Sequence, residues 1–273
     1  MANVDPVELL WRDGGGEPAR GLSVDAIVRA GIEVADAEGL AGLSMRKVAE
    51  RLGFTTMSLY RHVPSRDHLV DLMRDAAIGE LPPAGAASGP WREELESCLR
   101  QSWELRRRHP WLAEVRGTRH LPGPNAVAVY DRLLGILSSA GLAPAETVAA
   151  ADLLGRFVDA EALRLVEIAA AERASGVSEE EWWGSKDSLY DRLGAYPALT
   201  ALWEAGAWDD PPDSFEFGLA RLLDGISLLI GDETRDETCR ICGTPLPRPT
   251  TGRPRAYCSR ACRQRAYRAR HAR

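Results

Sequence analysis

Apolar residues recur with helical spacing along most of this chain, from residue 22 to about 231. Val24, Ile27, Val28, Gly31, Val34 and Ala35 fall at i, i+3, i+4, i+7, i+10 and i+11, one face of a helix that Ser23 would cap. "DAEGLAG" (36–42) predicts its end. A second helix follows, capped by Ser44, with Val48, Ala49 and Leu52 inward and Gly53 closing it in a left-handed conformation. A third helix is predicted at about 55–61 with Leu59 inward. "VPS" breaks it, and Ser65 caps a fourth carrying Leu69, Val70, Leu72 and Met73. "LPPAGAASGP" (81–90), poor in bulky residues, is the clearest boundary. Beyond it lie amphipathic stretches near 91–108, 124–140, 145–174, 186–205 and 213–231. The last repeats Phe215, Leu219, Leu222, Ile226 and Leu229 at alternating spacings of four and three. Two-residue alternation is scarce, so the predicted fold class is all-α.

These breaks divide the chain into a flexible N-terminal arm (1–20), a helix-turn-helix domain (21–80), a linker (81–90) and a larger helical domain (91–231). A second linker (232–238) and a small cysteine-bearing module (239–273) complete it. Charge sharpens the division. Residues 1–80 hold 9 Lys/Arg and 13 Asp/Glu, residues 81–238 hold 15 and 27, and residues 239–273 hold 10 Arg and no acid. The middle should repel nucleic acid and the end attract it. No apolar run approaches a membrane span, and the start lacks the basic and apolar regions of a secretory signal. The expectation is a cytoplasmic protein with reduced thiols, in which grouped cysteines point to metal.

Residues 44–66 carry the first chemistry. The small Ala49 lets two helices approach, Gly53 makes the turn, and Leu59 anchors the third helix from behind, as a helix-turn-helix requires. Facing outward are Thr55, Thr56, Met57, Ser58, Tyr60, Arg61 and His62, whose groups suit phosphate oxygens, base edges and a thymine methyl. Arg46 and Lys47 sit in the first turn of the second helix, where the helix dipole disfavours cations, and a nearby phosphate would account for them. The bland alternative is a solvated polar face on an ordinary bundle.

"GLSMRKVAERLGFTTMSLYRHVPSRDHLVDLM" (42–73), with "LYRHV" (59–63) following "LG" (52–53), resembles the DNA-binding domain of the tetracycline-repressor (TetR) family of transcriptional regulators. The resemblance covers about 20–80 well, extends in pattern to about 231 and leaves out the tail. It implies an all-helical homodimer with a recognition helix for the major groove of a double-stranded operator, and a larger domain that binds a small-molecule effector. By position it implies DNA contacts from Met45 and Arg46 and from the recognition-helix residues above, and a phosphate grip by Arg66. It also implies a four-helix bundle across a two-fold axis. The 213–231 stripe plus Leu153, Phe157 and Ala162 would supply two helices per subunit, with intrachain core the competing reading. Effector-pocket candidates are Trp103, Trp111, Tyr130, Arg156 and Phe157, each of which could equally be core.

In the tail, Cys239-x2-Cys242 and Cys258-x3-Cys262 have the spacing of a structural tetrathiolate Zn²⁺ site, with Gly243 turning the first pair and a helix from about 259 carrying the second. Too few apolar residues accompany them for burial alone to fold the segment. Arg253, Arg255, Arg260, Arg263, Arg265 and Arg268 are candidate secondary nucleic-acid contacts. Operator-flanking DNA is weighted first, with RNA and the chain's own acidic middle as alternatives. No phosphate loop or nucleophile elbow is present, lone Cys98 reads as a small hydrophobe, and no enzyme is expected. The sequence predicts a ligand-responsive DNA-binding regulator that acts as a repressor. The alternative is an architectural DNA- or RNA-associated dimer without an effector.

Overall fold

The segment expected to be a flexible arm folds in part. The Asp5 side chain accepts the backbone N–H of Val7 and Pro6 occupies the first helical position of α1 (Pro6–Leu10), which buries Leu9 and Leu10. Trp11 then donates its indole N–H to the Pro122 carbonyl at 3.1 Å. The computed structural model describes residues 5–12, 21–83, 89–115, 120–236, 239, 241–244, 246 and 257–270. Ser23, Ser44, Thr55 and Ser65 accept the backbone N–H of Ala26, Lys47, Ser58 and His68 through their side chains. Each satisfies an amide that a helix start leaves without a partner, worth about 1 kcal/mol. They open α2 (Val24–Gly42), α3 (Met45–Leu52), α4 (Thr56–Tyr60) and α5 (Arg66–Ile78). The predicted stop in α2 is a kink at Gly39, φ +72°, after which the helix resumes to Gly42. Ile27, Val48, Leu59, Val63, Leu69 and Met73 are fully buried at the centre. Gly31 permits the α2–α5 approach, since a Cβ there would lie 2.7 Å from the Met73 sulfur.

The second domain is a bundle of α6 (Trp91–Arg108), the single turn α7 (Trp111–Glu114), α8 (Pro124–Ser139), α9 (Pro144–Ser175) and, after an intervening arm, α13 (Ser214–Asp236). Leu95, Leu137, Leu154, Leu219 and Leu223 are buried between them. The arm holds α10 (Glu179–Gly184), α11 (Asp187–Leu193) and α12 (Pro197–Glu204). The single helix predicted at 186–205 is therefore two, because Gly194 ends one and Pro197 fits the first position of the next. Residues 232–236, expected as linker, continue α13.

Ion pairs fix the helix directions. Arg100 bonds Glu216 at 2.9 Å and Arg92 bonds Asp224 at 2.8 Å, so α13 runs antiparallel to α6. Arg106 bonds Asp159 at 2.7 Å. The C-terminal end of α6 meets the N-terminal domain through a polar seam. Trp111 donates its indole N–H to Asp36 at 2.8 Å, and His109 faces Asp36 at 2.8 Å and Glu80 at 3.2 Å. Asp75 accepts the backbone N–H of Ala126 at 2.9 Å. This carboxylate from α5 caps α8, whose own N-cap, Gly123, has no side chain.

Candidate nucleic-acid interface and metal centre

α4 is held from behind and free in front. Leu59 is fully buried, whereas Met57 is 68% and Tyr60 39% exposed, with Thr55 and Arg61 also exposed and Thr56, Ser58 and His62 half-buried. The Thr55 and Ser58 hydroxyls lie 2.9 Å apart, and Arg61 donates to Ser58 at 3.4 Å, which steadies the guanidinium on the outer face. Gly53, φ +71°, sets the angle between α3 and α4. A rigid face of hydroxyls, a phenol, an imidazole and a guanidinium is thus presented on one short helix.

Three sets of these residues make contacts within the chain that the sequence did not show. Met45 is 5% exposed and belongs to the N-terminal core, because its place at the start of α3 turns it toward α2 and α5. Arg66 donates to the Leu43 carbonyl at 3.0 Å and the Leu40 carbonyl at 2.7 Å, which ties the α2–α3 turn to α5 while its side chain stays 40% exposed. The cations of α3 do not call for a phosphate, since Arg46 pairs with Glu50 at 2.7 Å and Lys47 pairs with Glu38. Arg46 is nonetheless well exposed and can exchange its partner. Sequence reasoning passed over Phe54, 44% exposed between the turn glycine and Thr55. An apolar residue directly after a helix-ending glycine, off the helical period, was the available signal.

The five pocket candidates are not gathered around one space. Trp103 stacks on Phe215 at 4.6 Å and Phe157 on the other side at 5.6 Å, filling the bundle core. Trp111 is fully buried in the seam, while Tyr130 and Arg156 stand outside and share Asp152. A ligand-sized cavity, about 770 Å³, lies instead against the arm. Trp183, Tyr190, Leu199, Trp203 and Trp208 line it, with Arg164 and Glu179 as its charged groups. A second, of about 380 Å³, sits where Leu165, Val166 and Ala169 of α9 face Asp36–Gly39 of α2, with Trp111 in its wall. The predicted dimer stripe likewise divides. Phe215, Leu219, Ile226 and Ala162 are intrachain core, Leu222 and Phe157 are half-buried, and Leu153 and Leu229 remain exposed.

The cysteine tail closes on itself. Cys239 donates its backbone N–H to Thr244 and Gly243 donates back to Cys239, both at 2.8 Å, with Gly243 at φ +69°. This knuckle delivers the first sulfur pair. Ser259 caps α14 (Arg260–Arg270) through the Cys262 amide at 3.3 Å and delivers the second. All four sulfurs lie within 4.8 Å of one another, and three of their separations are 3.4, 3.7 and 3.7 Å. A tetrahedron with metal–sulfur bonds of about 2.3 Å has edges of about 3.8 Å. The donor set therefore fits a tetrathiolate metal site. The pKa of Cys239 falls to about 6, chiefly because the Cys258 amide donates to it, and that of Cys258 is pushed up to about 12, chiefly by the Cys242 sulfur. Arg253 and Arg255 lie outside the described residues; Arg260, Arg263 and Arg265 are exposed on α14, and position 268 lies on the same helix.

Among the described residues no helix is long and apolar enough to cross a membrane. Residues 27–73 match the model for bacterial regulatory proteins of the tetR family, and residues 82–230 match the tetracyclin repressor-like C-terminal domain. The HTH-type transcriptional repressor DrrR1 of Streptomyces coeruleorubidus is 39% identical over 232 residues, covering 82% of this chain and 85% of that one. Apo ActR from Streptomyces coelicolor superposes with a TM-score of 0.63 at 30% identity, covering 80% of this chain and all of that one. ActR in complex with actinorhodin gives 0.64 at 30%, covering 76% and 96%. With a helix-turn-helix that presents α4 and a helical second domain matched through residue 230, the chain belongs to the TetR family of DNA-binding transcriptional regulators.

Proposed function

We propose that this protein represses transcription as a homodimer and leaves its operator when a planar aromatic molecule enters the tryptophan-lined cavity. The observation that carries the DNA-binding half is the outer face of α4, where Thr55, Met57, Tyr60 and Arg61 stand exposed on a helix whose back is fully buried. The effector's class follows from the cavity: a volume of about 770 Å³ walled by three indole rings and a phenol, with Arg164 available for a phenolate or carboxylate. The relatives support both halves, one being named a repressor and another having been solved with actinorhodin. Arg164 and Leu165 are neighbours on α9, so a ligand that moves this turn also presses on the cavity beside Asp36–Gly39. Exposed Leu153 on α9 and Phe217, Leu228 and Leu229 on α13 supply the apolar faces for a subunit partner. Zn²⁺ is the metal that best suits four thiolates at tetrahedral spacing, and its role there is structural. Nothing in this reading requires catalysis.

The test begins by selecting a duplex from a random DNA pool with the full-length protein. Tyr60→Ala together with Arg61→Ala should weaken binding to that duplex at least about 100-fold, the loss of two base or phosphate contacts, while sedimentation still reports a dimer. Retained binding at about 150 mM salt would overturn the assignment. Planar aromatic compounds should release the duplex and quench tryptophan fluorescence together. Release without quenching would move the effector elsewhere.

A further inference from the structure

The arginine-bearing tail leaves the molecule at the pole opposite the operator-binding face. His109, at the end of α6, bonds Asp36 and Glu80 of the N-terminal domain, whereas Arg92, at the start of α6, bonds Asp224 and Ser227 of α13. Seventeen residues of α6 separate those levels, about 26 Å at 1.5 Å per residue. α13 runs antiparallel to α6 and continues from Ser227 to Asp236, a further distance of about 13 Å away from the N-terminal domain. Its end is thus about 39 Å from the domain seam, and α4 lies beyond that seam. Residues 237 and 238 alone join α13 to Cys239, a reach of about 10 Å. Adding the whole of α14, about 16 Å, does not bring the tail back to the seam. The intervening domain, with 15 Lys/Arg against 27 Asp/Glu over residues 81–238, would repel a phosphate backbone laid along it.

On α14 the metal and the cations take opposite sides. At 100° per residue, positions 260, 263, 268 and 270 fall on an arc of about 160° centred opposite Cys262. Arg260 and Arg263 are exposed there, while Arg265 sits to the side with its guanidinium 3.9 Å from the Cys262 sulfur. Four thiolates and one Zn²⁺ contribute two negative charges, so ten arginines leave residues 239–273 strongly cationic when loaded. Position 267, a tyrosine, falls within the same arc, and Tyr257 is half-buried against the cysteines. The arginine positions of this face outnumber that ring four to one, and exposed Arg260 and Arg263 on a rigid helix suit the phosphates of a duplex.

We propose that the metal-held α14 is a second DNA contact that engages a duplex other than the operator, so that one regulator bridges two DNA segments. It rests on the operator-binding reading above and replaces the expectation of contacts flanking the same operator. For the test, a duplex of about 30 bp is selected from a random pool by full-length Arg260→Glu/Arg263→Glu protein and fixed to beads, so that its choice owes nothing to the arc. Protein is loaded, and a fluorescent duplex of about 20 bp and unrelated sequence is offered at about 100 mM salt. Wild-type protein should hold the labelled duplex on the beads, and the charge-reversed variant should hold at least about tenfold less. Both should bind the fixed duplex within about twofold. Zinc content is measured for each protein, and Arg260→Ala/Arg263→Ala takes the place of the reversal if the latter loses metal. Absence of capture by the wild type overturns the proposal, as does preferential capture of a labelled single-stranded RNA. Tenfold weaker binding of the variant to the fixed duplex also overturns it, by returning the tail to the operator. Failure to select any duplex would instead sink the operator-binding reading itself.

Discussion

His109 faces a carboxylate from each ring nitrogen, Asp36 at 2.8 Å and Glu80 at 3.2 Å, and is only 8% exposed. The ring thereby links Asp36 of α2 and Glu80, two residues past the end of α5, to the end of α6. Trp111 donates to the same Asp36 oxygen and Arg108 to the same Glu80 oxygen. His109→Ala would take one bond each from Asp36 and Glu80 at the domain seam. The expected cost is about 1–3 kcal/mol, seen as a lower midpoint in urea, and His109→Gln should recover part of it. An unchanged midpoint would mean the seam relaxes around the loss. None of this was legible in the sequence, where His109 simply follows the amphipathic stretch 91–108 and precedes Pro110. Its partners lie 73 and 29 positions away. Asp75, which caps α8 from 51 positions away, was hidden for the same reason. Ser23, Ser44 and Ser65 were legible because a cap acts on an amide three residues on.

α13 shows what periodicity resolves in an element and what it leaves open. Its apolar stripe was plain, but a stripe does not say whether its partner is in the same chain. Most of it turned inward, onto Trp103, Phe157 and the α6–α9 core. The exposed Phe217 and Leu228 lie on another face of the same helix. Gly218 sets how closely α13 approaches α9, since a Cβ there would come within 2.6 Å of the Phe157 ring. Gly218→Ala should therefore cost about 1–3 kcal/mol by overpacking, despite alanine's higher helix propensity, and Phe157→Leu in the same chain should restore part of the loss. Additive losses in the double variant would show that the two side chains do not meet. The Arg100–Glu216 pair gives the helix a pH signature. The hydrogen bond from Arg100 holds the Glu216 carboxyl below its usual range. A depressed carboxyl stabilises the fold fully above about pH 4.5 and loses that contribution as pH falls through its folded value. Both partners are nearly half exposed, which limits the effect to about 0.2–1 kcal/mol. Glu216→Gln should narrow the stability difference between pH 6 and pH 3.5 by no more than that.

At the scale of the molecule, three clusters of buried side chains fold under different rules. The two domain cores are large and apolar, whereas the third holds Cys239, Leu246 and Cys262 with Tyr257 beside them. Burial of four partly apolar residues cannot offset ordering a module of this length, at about 1–2 kcal/mol per residue for the backbone alone. A structural zinc contributes about 10–16 kcal/mol, and that supplies the difference. Removing the metal should therefore unfold the tail and leave the two domains in place. With Cys258→Ser, or with wild type in chelator, zinc content should fall to near zero and trypsin should cut the tail at its arginines. The main thermal transition should move by less than about 2 °C, the equivalent of under 1 kcal/mol in a protein of this size. Operator affinity should hold, since the tail and α4 occupy opposite poles. A joint collapse of both transitions would show that the tail packs on the bundle and that its cations are spent on the acidic domain. The spacing of the cysteines made this module readable from the sequence, because metal ligation depends on local geometry. Which pole it occupied was not readable, because that depends on the direction of α13, and α13's direction is fixed by ion pairs to α6 more than a hundred residues away.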